Sequence, residues 1–216
     1  MYLETIKSEA KLARAQGNMH LTTVGNSRIQ KLFQKGASKV FFPRRASGLD
    51  CIMINTAGGL TGGDKFSNVI ECYGNSCLTV TTQGCERVYK SNDGSNANVE
   101  NKIVLKNSSR MHWLPQETIV FDQGRIKREL NVSISSEAEA LIVEPIIFGR
   151  LAMGETELSG HFDDKIEIRV GGKIAFLDKK GSKHLLGKPV KMSFVVSSYT
   201  PTENIFIIFR ITQIKN

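Results

Sequence analysis

The segment Lys165–Leu177, with the sequence KIEIRVGGKIAFL, determines the fold class. Ile166, Ile168 and Val170 alternate with charged residues, a pattern that places every second side chain of a strand on a buried face. The pair Gly171–Gly172 then falls between two apolar runs, where a tight turn requires positive φ angles that glycine adopts without strain. The segment therefore predicts a β-hairpin.

The same alternation recurs in other parts of the chain. Ile126, Leu130, Val132 and Ile134 alternate with polar neighbours, and the pattern is interrupted at Arg128. Further strands are predicted at residues 77–82, 99–106, 118–121, 141–143, 192–196 and 205–211.

A helical pattern is confined to residues 1–16, where apolar residues stand at helical spacing and Gly17 provides a stop signal. The same segment could instead pair as a strand. No repeat or linker divides the chain. We predict an all-β fold: a single domain, residues 1–216, of several packed, mainly antiparallel sheets with at most one or two short helices.

The composition is that of a globular protein, with 40% hydrophobic and 23% charged residues among 216. The first 17 residues carry charges throughout, so we expect no signal peptide, and no apolar run approaches the ~18 residues of a membrane span. These features predict a soluble, cytoplasmic protein without a membrane partner.

The net charge of +8 is concentrated near the N-terminus, where residues 1–45 hold nine basic and two acidic residues. A basic arm on a neutral body favours an anionic partner, although a solvated lysine-rich face is an alternative. Few aromatic residues accompany these charges, which argues against nucleic acid as a ligand.

Metal-binding spacings are missing from the cysteines and histidines. Cys51, Cys72, Cys77 and Cys85 form no C-x-x-C pair, and the four histidines are scattered. We therefore expect free, buried thiols and no stably bound cofactor.

The most unusual stretch is the glycine-rich segment Asn55–Lys65, NTAGGLTGGDK. A phosphate-binding loop has lysine directly after its last glycine, whereas Asp64 holds that position here and would repel a phosphate. The glycines therefore indicate a demanding backbone geometry, which could serve either folding or docking.

Glu144 lies between apolar residues on both sides, in the segment Ala140–Phe148. A buried carboxylate must be paired, protonated, hydrated or bound to a cation. One interpretation is an ion pair with Arg87 or Arg150, and the other is an acidic group on an internal polar path. Asp178 raises the same question.

A catalytic motif is not found. Trp113 favours a core position over an interface anchor, and neither a G-x-S-x-G elbow nor a convincing carboxylate pair at Glu117 and Asp122 is present. The sequence thus predicts a protein that is not an enzyme.

Four segments, in order, resemble the signature blocks of the urease accessory protein UreD (UreH) family: INTAGGLTGGD at 54–64, TQGCERVYK at 82–90, WLPQETIVFD at 113–122 and FGRLAMGE at 148–155. The resemblance covers about residues 28–180, and we expect residues 189–216 to diverge from the family. The motif residues it selects are Gly58, Gly59, Gly62, Gly63, Asp64, Arg87, Tyr89, Trp113, Pro115, Gln116, Glu117, Gly149, Arg150, Gly154 and Glu155.

This resemblance implies a mostly β, non-enzymatic scaffold that binds UreF, through it the GTPase UreG, and then apo-urease to deliver nickel. It also implies an internal passage for the metal. Moving nickel must be held weakly, by oxygen ligands and water, so we hypothesise that Glu144 and Asp178 line the route. Two alternatives remain: a basic adaptor using the arm Lys7–Arg45, and a nucleotide-binding enzyme using the loop Gly58–Asp64.

Overall fold

The computed structural model describes residues 13–44, 46–150, 153–155, 158–182 and 206–213, and these ranges contain strands and turns but no α-helix. The strands are β1 (Gln16–Val24), β2 (Arg28–Gly36), β3 (Ser38–Phe41), β4 (Leu49–Asn55), β5 (Lys65–Cys72), β6 (Cys77–Thr82), β7 (Glu86–Val88), β8 (Ala97–Leu105), β9 (Arg110–Trp113), β10 (Thr118–Val120), β11 (Arg125–Ile134), β12 (Glu139–Phe148), β13 (His161–Val170), β14 (Lys173–Ser182) and β15 (Phe206–Gln213).

Two sheets contain all of these strands. The first, called sheet A, has the order β14-β13-β11-β8-β5-β1-β2. The second, sheet B, has the order β3-β4-β6-β9-β12-β10-β7, with β15 also paired to β12. The prediction of an all-β fold is confirmed.

The chain winds as a solenoid-like coil between the two sheets. After a strand in sheet A it crosses to sheet B and returns beside the previous sheet A strand, as in the series β5, β8, β11 and β13. Because each turn repeats the same direction, β5, β8, β11 and β13 are parallel to one another, and most sheet B pairs are parallel too.

The prediction of mainly antiparallel sheets is therefore wrong. Among the described residues, antiparallel pairing occurs at β1–β2, β3–β4 and β13–β14. The physical reason is that alternation in a sequence specifies which face of a strand is buried, whereas strand direction depends on the path of the connections.

The hairpin predicted at Gly171–Gly172 is confirmed. Val170 pairs with Lys173 across the turn, and both glycines have positive φ, 56° and 81°. Strands also cover the predicted segments at 77–82, 99–106, 118–121, 141–143 and 205–211 to within one or two residues, or extend them. The predicted strand at 192–196 lies outside the described residues, as do residues 1–12 of the helical segment, while Gln16 begins β1.

The core consists of rows of aliphatic side chains in register from one turn to the next. One row on sheet A joins Leu21, Ile70, Ile103, Val132 and Ile168, each 2% exposed or less. Burial of each such side chain contributes roughly 1.5–3 kcal/mol, so the rows hold the two sheets together. These residues belong to the larger of two apolar clusters. Between the two clusters lies a layer of inward-facing polar side chains, here called the polar layer, which includes Asn68, Asn101, Arg128, Glu144 and Asp164.

Candidate functional site

Sheet B is interrupted at the same place in three successive turns of the coil. Residues 83–85 separate β6 from β7, and residues 114–117 separate β9 from β10. In the first turn, residues 56–59 follow β4 before Leu60 forms an isolated bridge with Val88. Pro115 cannot donate a backbone hydrogen bond, which favours the break in its turn. The first three signature blocks thus coincide with one stacked gap in the sheet.

A cavity of about 400 Å³ opens at this gap and extends between the sheets. Its wall contains parts of all three blocks and several polar side chains of the interior. These wall residues include Asn55, Gly58, Gly59, Asn68, Gly84, Glu86, Arg87, Asn101, Trp113, Pro115, Gln116, Thr118, Arg128 and Glu144.

Side chains would not fit at two glycines of the first block. Gly59 has a φ of 146°, and a Cβ added there would lie 2.4 Å from Cε2 of Tyr89 and 2.7 Å from the carbonyl oxygen of Arg87. A Cβ at Gly62 would lie 2.2 Å from Oγ of Ser91. The glycines therefore allow the loop to pack against the next turn of the coil, which is a folding role.

The buried carboxylate of Asp64 stabilises the same loop through hydrogen bonds from backbone amides. Its side chain is 3% exposed, Oδ2 accepts a hydrogen bond from the backbone N–H of Thr61 at 2.8 Å, and Oδ1 accepts one from Ala15 at 2.7 Å. Gly63, with a φ of 87°, packs against the side chain of Arg14. The carboxylate occupies the Thr61 amide of the loop and brings a negative charge there, both of which argue against the nucleotide-binding alternative.

Glu144 belongs to a buried ionic network in the polar layer. Its Oε2 accepts a hydrogen bond from Nη1 of Arg128 at 3.0 Å, and its Oε1 accepts one from Nε1 of Trp113. Asp164 accepts two hydrogen bonds from the same guanidinium, both at 3.1 Å. The predicted ion pair is thus present, but the prediction of Arg87 or Arg150 as the partner is wrong, because the guanidinium paired with Glu144 is that of Arg128, whereas Arg87 and Arg150 are exposed.

Two carboxylates surround one guanidinium, and the three side chains are 12%, 5% and 2% exposed for Arg128, Glu144 and Asp164. Burial acts to lower the pKa of Arg128, but the charges of Asp164 and Glu144 outweigh it and raise that pKa above its usual value. Nη1 of Arg128 also donates to Oγ1 of Thr118 at 3.1 Å. The network therefore ties sheet A to sheet B beside the cavity.

Glu86 is a cavity carboxylate that the sequence reasoning missed. Burial raises its pKa to about 7, only partly opposed by hydrogen bonds from Asn55 and from a backbone N–H. Both carboxylate oxygens lie 3.2 Å from Nδ2 of Asn55. Within the described part of the chain Glu86 forms no salt bridge. It therefore changes charge near neutral pH more readily than an ordinary glutamate.

One amide oxygen in the wall, Oδ1 of Asn68, has no hydrogen-bond partner among the described residues. Nδ2 of Asn68 donates to Oδ1 of Asn101 at 2.9 Å, but Oδ1 of Asn68 is buried and accepts no hydrogen bond from the described residues. A buried acceptor of this kind costs roughly 1–3 kcal/mol unless water or a cation satisfies it. The cavity wall is therefore suited to hydrated or cationic occupants.

Other predicted residues lie away from this interior. Asp178 is on the edge strand β14, opposite Ile166, and is not among the residues that line the cavity. The described residues contain no group of three or more His, Cys, Asp or Glu side chains placed to hold a metal ion.

Cys51 and Cys72 are buried free thiols, and burial raises their pKa values to about 12 and about 11. Cys77 and Cys85 are half-buried.

The remaining motif residues form an outer layer. The ring of Tyr89 meets that of Phe121 edge to face at 5.3 Å, and the guanidinium of Arg150 lies 4.0 Å above the Phe121 ring. Arg150 is also ion-paired with Glu155.

The other motif residues of this region contribute through the backbone. Gly149 and Gly154 have positive φ, 80° and 78°. Glu117 contributes its backbone carbonyl, which accepts a hydrogen bond from the N–H of Glu86. This layer braces the outside of the gap.

Comparison with known proteins identifies the family. Residues 13–192 match the UreD urease accessory protein family, a longer stretch than the 28–180 expected from the signature blocks. The chain belongs to the UreD family. The match ends within the segment 189–216 that was expected to diverge.

Curated relatives carry the same family name. A urease accessory protein UreD from Ruegeria pomeroyi is 44% identical over 74% of this chain and 64% of its own length. One from Rhizobium leguminosarum is 42% identical over 74% and 60%, and a UreD 1 from Brucella ovis is 39% identical over 77% and 61%. The chain thus spans about three-fifths of the length of the curated relatives it matches.

Membership of the UreD urease accessory protein family agrees with the prediction of an accessory protein. It also supports the prediction that the chain belongs to the machinery of urease maturation. None of the described residues forms a helix of the length and apolar character that a membrane crossing requires.

Proposed function

We propose that this chain is a maturation factor that, together with UreF and UreG, docks on apo-urease in the cytoplasm and provides an internal route for nickel. Its membership of the UreD family supports the general role, since relatives are named urease accessory proteins. The cavity at the gap in sheet B supports the specific one, because it lies between the sheets, opens to the surface and has polar side chains among its apolar wall residues.

The chemistry of the cavity wall suits a cation that must keep moving. Glu86 offers a carboxylate that forms no salt bridge with the described residues, and Asn68 offers a buried amide oxygen that accepts no hydrogen bond from them. Oxygen ligands hold nickel more weakly than clustered imidazoles or thiolates, so a hydrated ion can pass from one to the next. A divalent cation near Glu86 would also favour its ionised form.

In this proposal the acidic residues have different parts from those in the sequence hypothesis, which placed Glu144 and Asp178 on the route. Glu144 lines the cavity, but both its oxygens are engaged by Arg128 and Trp113, so it shapes the wall and contributes negative charge from a fixed position. Glu86 is the carboxylate free to exchange partners. The proposed route does not include Asp178, because Asp178 does not line this cavity.

Gly84 allows a direct test of the route. It is exposed, lines the cavity, and a Cβ at this position would meet nothing within 4 Å. Gly84→Trp should therefore narrow the opening without disturbing the core, whereas Gly84→Ala leaves it wide. Urease purified from cells carrying each variant is assayed for bound nickel and activity, and a pull-down against UreF and urease reports whether the complex forms.

We expect Gly84→Trp to lower the nickel content of urease severalfold while the complex is retained, and Gly84→Ala to behave as the parent. Full nickel loading with Gly84→Trp in an intact complex would exclude a route through this opening. Full loading in cells that lack this gene altogether would exclude the role in urease maturation as well.

A further inference from the structure

The strand β2 is exposed along its whole length. All nine of its residues are exposed, and it is the last strand of sheet A on that side. One edge of β2 pairs with β1. Among the described residues, no strand pairs with the opposite edge of β2. Unpaired backbone N–H and C=O groups on such an edge are a template for an additional strand.

The two faces of β2 differ in chemistry. Lys31, Phe33 and Lys35 pair with residues of the outer face of β1, so their side chains lie on the outer face of sheet A. Leu32 pairs with the buried Leu21 and Ile29 with the buried Thr23, so both point towards the inner face. Both nevertheless remain about 40% exposed. Sheet B therefore does not fully cover the apolar side chains on the inner face of β2.

The charge of this edge has one sign. Arg28, Lys31 and Lys35 lie on β2 and Lys39 on β3, while β1, β2 and β3 contain no acidic residue. A second copy of this chain paired edge to edge would bring lysines opposite lysines, an unfavourable arrangement. A complementary strand needs acidic side chains on the outer face and apolar ones on the inner face.

We propose that β2 is a docking edge for an extended segment of a partner protein in which acidic and apolar residues alternate. The segment adds to sheet A as a strand, its acidic residues face Lys31 and Lys35, and its apolar residues cover Ile29 and Leu32. The main-chain edge favours a peptide over nucleic acid, which has no equivalent use for backbone hydrogen bonds. The proposal is independent of the nickel route.

The probe is a fluorescein-labelled nine-residue peptide of alternating glutamate and valine, with binding measured by fluorescence anisotropy. Two matched peptides serve as controls: one with lysine in place of glutamate, and one with two valines replaced by proline, which prevents strand pairing but keeps the charge. Binding should be saturable for the first peptide alone, and backbone amides of β2 should then become protected from hydrogen exchange.

Charge reversal in the protein tests the site. Lys31→Glu/Lys35→Glu should weaken binding by at least roughly tenfold. Lys102→Glu/Lys106→Glu, which reverses two exposed lysines elsewhere on the protein, should change it little. Equal binding of the proline peptide, or equal loss in both variants, would overturn the proposal. So would binding of a DNA duplex, in place of the peptide, that Lys31→Glu/Lys35→Glu abolishes.

Discussion

Replacing Glu86 with glutamine should stabilise the protein above neutral pH and change its stability much less in acid. The pKa of Glu86 is raised from 4.5 to about 7 by burial in the cavity wall. Between these two values the folded state binds more protons than the unfolded state, so the contribution of Glu86 to stability falls as pH rises. Glutamine cannot ionise and can still accept a hydrogen bond from Asn55, so it avoids this loss.

The magnitude follows from the pKa difference. At 1.36 kcal/mol for each pKa unit, the cost of ionising Glu86 in the folded protein approaches roughly 3 kcal/mol above pH 7. Most of it develops between pH 5 and pH 8. Urea denaturation of the parent and Glu86→Gln at several pH values in this range, at constant ionic strength, gives the difference in free energy of unfolding directly.

Glu100→Gln is the matched control, because Glu100 is an exposed glutamate on the outer side of β8. It removes the same charge from the surface and accounts for the general effect of net charge on stability. The advantage of Glu86→Gln over the parent should grow with pH, beyond any trend in the control. An advantage of equal size at pH 5 and pH 8 would refute the assignment of a buried, proton-binding carboxyl at this position.

Three further substitutions test the structural framework by urea denaturation. Arg128→Met should destabilise the protein by roughly 3–5 kcal/mol because it leaves two buried carboxylates without their cation; a loss below 1 kcal/mol would contradict a desolvated network. Asp64→Ala should cost about 2–4 kcal/mol through two lost hydrogen bonds to backbone amides, and an unchanged midpoint would show that the loop is held otherwise. Gly59→Ala should cost roughly 2 kcal/mol or more, since its Cβ would meet Tyr89, whereas Gly84→Ala should be nearly neutral.

The polar layer contains some features that the sequence predicts and others that depend on the tertiary structure. The alternation on β11 is interrupted at Arg128, and on β12 and β13 the inward positions include Glu144 and Asp164. Each anomaly is visible in the sequence. The sequence does not reveal that they belong together, because their pairing depends on register between strands in opposite sheets. Arg87 and Arg150 were equally plausible partners for Glu144 until that register was known.

Glu86 was missed for a related reason. Its neighbours Cys85, Arg87 and Val88 give no periodic pattern, since β7 is only three residues long. Its raised pKa depends on a cavity that forms where the breaks of three consecutive turns lie side by side. A sequence shows each break separately, as a glycine pair or a proline, but not their alignment in space.

The sequence by itself determined that the chain is built of strands, where most of them lie, and which family it belongs to, because alternation and motif order are local properties. Only the tertiary structure decided that the strands stack in parallel, that the signature blocks meet at one cavity, and which charges are paired. Those features depend on contacts between residues far apart in the chain, and a strand's own pattern of side chains leaves both its direction and its neighbours undetermined.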